Sequence, residues 1–217
     1  MKTLEQLFSN NKITPIVTCD NLDDANKVCD ALLAGGLDRV TFNMSTQSSL
    51  KMLNRIVNQR DDIIIGVGNI MDAAGFMTAS LAGVKYIGSL GITDELMTAA
   101  KTRYNDADFL PGVLLPSQIM EAMSAGFNVA CLYPVAEFNG ANLLDRYAID
   151  FPHMKFVAKG GVNFDNMEEY LLKKNVICVS ISDIVEKELI DNGNFAEITA
   201  RARKYMEKMQ LILSKAE

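Results

Sequence analysis

The chain has 217 residues, 49% of them hydrophobic and 22% charged, a composition that suits one large α/β domain. A formal net charge of −6 argues against the basic face that nucleic-acid binding requires. No apolar run reaches the roughly 18 residues of a membrane span, and the opening "MKTLEQLFSNNKITP" lacks the apolar core of a secretory signal.

In chain order, residues 2–9 read as an extra helix. "ITPIVTC" from Ile13 is the first of eight short apolar runs. Asp20 and Asn21 then precede "LDDANKVCDALLAGG", where Leu22, Ala25, Val28, Cys29, Leu32 and Leu33 form one stripe. Gly35-Gly36 ends that helix. The next runs are "RVTFNM" from Arg39, "DIIIGVG" from Asp62 and "VKYIGS" from Val84. Thr93 starts a helix in "TDELMTAAKTRY", with acids in its first turn and bases near its end. After the fifth run, "DFLPGV" from Asp108, Pro116 introduces "SQIMEAMSAGF", with Ser117 expected as N-cap and Gly126 as C-cap. "NVACLYP" from Asn128, "KFVAKGG" from Lys155 and "VICVSIS" from Val176 complete the runs. Helices are expected in "NFDNMEEYLLKKN" and in the long "NFAEITARARKYMEKMQLILSKAE".

Most runs are β-branched and continuously apolar, as parallel strands covered on both faces are. Eight β-then-α units with short connections predict a single-domain (β/α)8 TIM barrel over residues 1–217, the extra N-terminal helix closing its bottom. A doubly wound sheet would place a G-x-G-x-x-G turn after the first strand. The turn there, "TCDNLDD", has no glycine.

A barrel of this kind carries its chemistry at the C-terminal ends of the strands. Glycines, hydroxyls and amides dominate those positions here. Gly160-Gly161 after the seventh strand, with Ser182 after the eighth, are the best candidates for an oxyanion or phosphate site, because glycine lets backbone N–H groups approach closely. A plain tight turn is the competing explanation. Ionisable groups at these ends are Asp20, Lys159, Asp183 and Glu137, the last in the loop "PVAEFNG", where it either reaches the pocket or stays solvated. Asp20 and Asp183 also fit as helix caps. Lys159 is the one lysine directly at a strand end. Desolvated in a pocket, a lysine loses proton affinity and becomes a nucleophile toward carbonyls. Cys19, Cys29, Cys131 and Cys178 are scattered without a CxxC pair, which fits a reducing cytoplasm. His153 is the single histidine, which argues against a His-rich metal site or a Ser-His-Asp triad. No metal or cofactor is expected.

Read together, "ITPIVTCDNLDDANKVCDALLAGG", "IIIGVGNIMD", "AGVKYIGSLGITDELMTAA", "FLPGV", "YPVAEFNG" and "AKGGVN" run through almost the whole chain in a familiar order. The sequence resembles the 2-keto-3-deoxy-6-phosphogluconate / 4-hydroxy-2-oxoglutarate aldolase family, class I aldolases on a small (β/α)8 barrel. That resemblance implies a lyase that makes or breaks a C–C bond of a 2-keto-3-deoxy (phospho)sugar acid to give pyruvate. It also implies a homotrimer with a small-molecule 2-keto acid substrate. Gly160, Gly161 and Ser182 match the family's phosphate-site positions. The catalytic positions depart from the pattern. Cys131 stands at the place of the family's Schiff-base lysine, Thr41 at its acid/base glutamate and Ser45 at its carboxylate-binding arginine, with Thr46 keeping the threonine that follows. Asn69 replaces the threonine of the strand-3 turn, and Lys159 replaces a pocket-facing threonine on the seventh strand.

Three readings follow. In the first, the lysine has moved: Lys159 forms the Schiff base while water, Glu137 or a hydroxyl carries protons. In the second, the chain is a catalytically inactive paralogue that binds a phosphorylated or 2-keto acid metabolite, with Lys159 as counter-ion. The third is another barrel chemistry, an isomerase or epimerase on a sugar phosphate.

Overall fold

The structure, a computed structural model, describes residues 3–44, 47–102 and 107–215. Nine strands carry the apolar runs: β1 (Ile13–Val17), β2 (Arg39–Asn43), β3 (Ile64–Ile70), β4 (Tyr86–Ser89), β5 (Asp108–Leu110), β6 (Gly112–Val113), β7 (Val129–Leu132), β8 (Lys155–Lys159) and β9 (Val176–Ile181). All pair in parallel, in the order β5-β4-β3-β2-β1-β9-β8-β7-β6. Only Pro111 separates β5 from β6, so the two ends of that order are neighbours in the chain. The result is a nearly closed parallel barrel. Pro111 has no N–H to give a ladder, but its carbonyl accepts from Cys131 N at 2.8 Å.

Helices cover the outside: α1 (Leu4–Phe8), α2 (Leu22–Ala34), α3 (Gln47–Gln59), α4 (Ala73–Leu81), α5 (Asp94–Lys101), α6 (Pro116–Ser124), α7 (Gly140–Asp150), α8 (Met167–Leu171), α9 (Lys187–Asp191) and α10 (Phe195–Ser214). Thr93 caps α5 as expected. Three expected caps shift. Asn21, not Asp20, caps α2, accepting from Asp24 N at 2.9 Å. Leu115 rather than Ser117 is the N-cap of α6, because Pro116, with φ preset for a first helical residue, starts the helix two positions earlier. Gln118 Oε1 there accepts from the N–H groups of Leu114 and Leu115. Asp183 caps nothing, since α9 begins only after Glu186. Its carboxylate instead accepts from Tyr205 OH at 2.6 Å. At the end of α2, a Cβ on Gly35 would stand 2.4 Å from Ala202 Cβ, so glycine there allows α10 to pack on α2.

Two apolar clusters hold the molecule together. The larger lies between barrel and helices. The smaller fills the barrel itself and includes Leu4, Phe8, Tyr86, Val129, Cys131, Val157 and Cys178. Helix α1 supplies its lower end: a Thr3–Gln6 capping box fixes the turn, and Phe8 packs on Tyr86 with ring centroids 5.3 Å apart. Arg39 is fully buried beside it, donating from Nη1 to Leu7 O (2.8 Å) and from Nε to Asp38 Oδ1 (2.9 Å). Because the strands are parallel, their C-terminal ends meet at the opposite mouth.

Candidate active site

Alternation along a strand sends every second side chain to one face. On β2 that face carries Arg39, Thr41 and Asn43; on β8 it carries Val157 and Lys159. Two inward glycines on β3 make room. A Cβ on Gly66 would lie 2.1 Å from the Tyr86 ring, and one on Gly68 would lie 3.1 Å from Thr41 Cγ2.

The floor of the site is a ring of three hydroxyls. Thr14 and Thr41 Oγ1 are 2.9 Å apart, Thr14 Oγ1 and Tyr86 OH 2.9 Å, and Thr41 Oγ1 and Tyr86 OH 2.8 Å. Burial pushes the Tyr86 phenol up to about 12, so it stays protonated. With its hydroxyl turned into this floor and its methyl toward Gly68, Thr41 offers the mouth no acid or base. Sequence reasoning missed the ring. Its signal was three hydroxyl side chains at inward positions of β1, β2 and β4.

Above the floor stands Lys159. The residue is only 8% exposed. Its Nζ donates to Asn69 Oδ1 at 2.6 Å and lies 5.3 Å from the centroid of the Tyr133 ring. None of the ion pairs among the described residues includes it. Burial lowers its pKa from the ordinary 10.5, with nearby Cys131 acting weakly the other way. A desolvated amine held by a neutral amide is a reactive nucleophile. Lys159 lines a small interior cavity with Thr41, Gly68, Gly88, Cys131 and Ser180.

Cys131 lies on the adjacent strand, where it pairs with Val157, two residues below Lys159. Burial raises its thiol pKa and keeps it protonated, although the Lys159 charge pulls the other way. Asn69 is brought to the lysine. It holds a left-handed backbone (φ 62°) that aims its carboxamide across the mouth.

Gly160 and Gly161 form the turn after β8, with φ of 93° and 74°. Both are also needed sterically: a Cβ would stand 2.9 Å from Pro134 Cα at Gly160 and 2.4 Å from Ala136 Cβ at Gly161. Asn166 Nδ2 braces the turn by donating to Gly161 O at 2.9 Å. Ser182 is exposed just past β9, whose Ser180 pairs with Lys159, so it shares that side of the mouth. Glu137 lies beside the Gly161 turn. It sits exposed on a 3-10 turn (Ala136–Phe138), its Oε1 3.9 Å from where a Gly161 Cβ would be. A left-handed Asn139 (φ 54°) turns the chain from there into α7. Ser45 and Thr46 lie outside the described residues. Among the described residues no group of three metal-ligating side chains occurs, and no helix is long and apolar enough to cross a membrane.

A family model described as KDPG and KHG aldolase matches residues 4–201. The chain belongs to the KDPG and KHG aldolase family. A 2-dehydro-3-deoxy-phosphogluconate aldolase of Pseudomonas aeruginosa is 31% identical over 205 residues, covering 94% of this chain and 92% of the relative. The KHG/KDPG aldolase of Escherichia coli K12 is 25% identical over 207 residues, covering 95% and 96%. Among solved structures, KDPG aldolase from Legionella pneumophila, with pyruvate captured as a covalent carbinolamine, superposes with a TM-score of 0.88 at 31% identity, covering 94% of this chain and 98% of its own. In this chain the buried amine at the mouth is Lys159, the last residue of β8.

Proposed function

We propose that the chain is a class I aldolase in which Lys159 forms the Schiff base, acting on a 2-keto-3-deoxy (phospho)sugar acid or a 4-hydroxy-2-keto acid and yielding pyruvate. One observation carries this reading: Lys159 is a desolvated amine with a lowered pKa and, among the described residues, no carboxylate partner, at the mouth of an aldolase-family barrel. A lysine kept only as counter-ion would do better charged than desolvated, so the inactive reading is not favoured.

The Lys159 Nζ lone pair attacks C2 of the keto acid to give a carbinolamine, which loses water to leave an iminium. The C3–C4 bond then breaks, its electrons forming an enamine, while the C4 hydroxyl gives its proton to water and departs as an aldehyde. Protonation at C3 and hydrolysis release pyruvate and the free amine. Asn69 orients Nζ, since its Oδ1 fixes one N–H direction. Gly160, Gly161 and Ser182 receive the distal phosphate or carboxylate, and Ser45 serves the keto acid carboxylate. Water replaces Glu137 as proton carrier. The barrel is read as eight β/α units, β5 and β6 being halves of one strand, with α1 as its lower plug. Family kinship supports a homotrimer, and four unpaired cysteines support a reducing compartment such as the cytoplasm.

The test is pyruvate release from 2-keto-3-deoxy-6-phosphogluconate and from 4-hydroxy-2-oxoglutarate. Release from at least one, lost in Lys159→Met, is expected. A folded protein that releases pyruvate from neither contradicts the reading.

A further inference from the structure

Asn43 ends β2 two residues beyond Thr41, on the same inward face. Its Nδ2 donates to Thr18 Oγ1 at 3.3 Å, which fixes the plane of the carboxamide. Its Oδ1 is buried and has no hydrogen-bond partner. Two other side-chain oxygens among the described residues share that state, on Asn175 and Asp183. Asn175 precedes β9 at the closed end of the barrel, and Asp183 is engaged through its other oxygen by Tyr205. Of the three, Asn43 Oδ1 is the one near the amine's space: it lies 3.3 Å, and Lys159 Nζ 3.6 Å, from the point a Gly68 Cβ would occupy. Glycine at 68 thus leaves open the space that the two groups share.

A buried acceptor without a donor weakens a fold and is retained where a ligand completes it. The neighbouring carboxamide, Asn69, is already occupied by the lysine. We infer that Asn43 is a substrate-binding residue whose Oδ1 accepts a hydrogen bond from the hydroxyl on the aldol carbon as the substrate binds, before that proton passes to water, and so selects 4-hydroxy-2-keto acids over analogues lacking that hydroxyl. The chemistry narrows the donor. An amide oxygen only accepts, and neither the carboxylate nor the keto oxygen of the substrate carries a hydrogen. The aldol hydroxyl does, as does the carbinolamine hydroxyl formed at C2. With Nζ bonded to C2, the aldol carbon is two bonds from C2, within reach of the space that Gly68 leaves open beside Asn43. This inference rests on Lys159 being the Schiff-base residue.

The experiment compares wild type, Asn43→Leu and Asn43→Asp in two assays: cleavage of 4-hydroxy-2-oxoglutarate, and borohydride trapping of pyruvate, which has no aldol hydroxyl. Asn43→Leu is expected to lower kcat/KM for cleavage by about 10-fold or more while pyruvate trapping stays within about twofold and the melting transition persists. Asn43→Asp keeps an acceptor and is expected to retain cleavage. Its acid limb should move to higher pH, because a carboxylate beside Lys159 favours the ammonium. Unimpaired cleavage in Asn43→Leu overturns the inference. So does an equal loss in both assays, which would assign Asn43 to the carbinolamine or to Lys159 itself. Absence of any adduct in the wild type is a separate result: it fails the Schiff-base reading and takes this inference with it.

Discussion

Two buried cations sit at opposite ends of the barrel. Arg39, at the start of β2, is 0% exposed. It is fully partnered, by Asp38, by the Leu7 carbonyl and by the Phe8 ring 5.0 Å away. Lys159, at the end of β8, has a neutral amide and an aromatic ring. Burial costs both groups their hydration. At the closed end that cost is offset by a carboxylate and a carbonyl, which makes Arg39 part of the scaffold. At the open end it is left standing, and the amine's proton affinity falls. Partner chemistry, not burial, separates a structural cation from a reactive one.

The sharpest break of this comparison is to delete each cation. Lys159→Met should abolish pyruvate release, a loss of at least about 1,000-fold, and should melt no lower than wild type because a desolvated amine is gone. Arg39→Met should do the reverse. Urea unfolding should show a loss of about 2–4 kcal/mol from the emptied, unpaired site, with pyruvate trapping at Lys159 intact in the folded fraction. If Arg39→Met loses the adduct while folded, the two ends are not independent.

A pH series sharpens the contrast further. The folded pKa of Lys159 lies below the ordinary 10.5. Between those two values the unfolded chain holds a proton that the folded chain lacks, so stability from this group rises with pH across that window. Below the folded pKa both states are protonated and the burial penalty is complete. Lys159→Met should therefore exceed wild type in stability at neutral pH, and the gap should narrow toward alkaline pH in parallel urea titrations. As pH drops through the folded pKa, kcat/KM should fall as the amine protonates.

The smallest effect concerns Asn69. Glycine accepts the φ of 62° there, so Asn69→Gly removes the carboxamide without strain. Losing an acceptor that favours the ammonium should shift the acid limb of the rate profile to lower pH. A looser amine should slow pyruvate trapping by about 3–10-fold.

Much of the scaffold was legible because buried parallel strands read as unbroken apolar runs. Each of the eight runs holds a strand, and the fifth breaks where Pro111 cannot donate. Caps were less legible. Ser117 lost its place to a proline that sets the helix start, and Asp183 was drawn to Tyr205 on a helix 22 residues away. In the site, Lys159 and Asn69 stood out as strand-end residues, but their bond joins positions 90 apart and has no local signature. Thr14, Thr41 and Tyr86 each read singly as strand formers, so their hydroxyl ring was invisible until the register brought them together. Glu137 was ambiguous because a loop has no periodicity to orient a side chain; it sits exposed on a 3-10 turn beside Gly161. Asn43 stood out only as a strand-end amide next to Met44, though its spacing from Thr41 marks the same inward face.

The central claim is that the aldolase amine of this chain is on β8. Borohydride reduction in the presence of pyruvate, followed by proteolysis and mass mapping, tests it most directly. A pyruvyl adduct on Lys159, and none in Lys159→Met, is expected. An adduct on another lysine, or none on a folded wild-type chain, contradicts it.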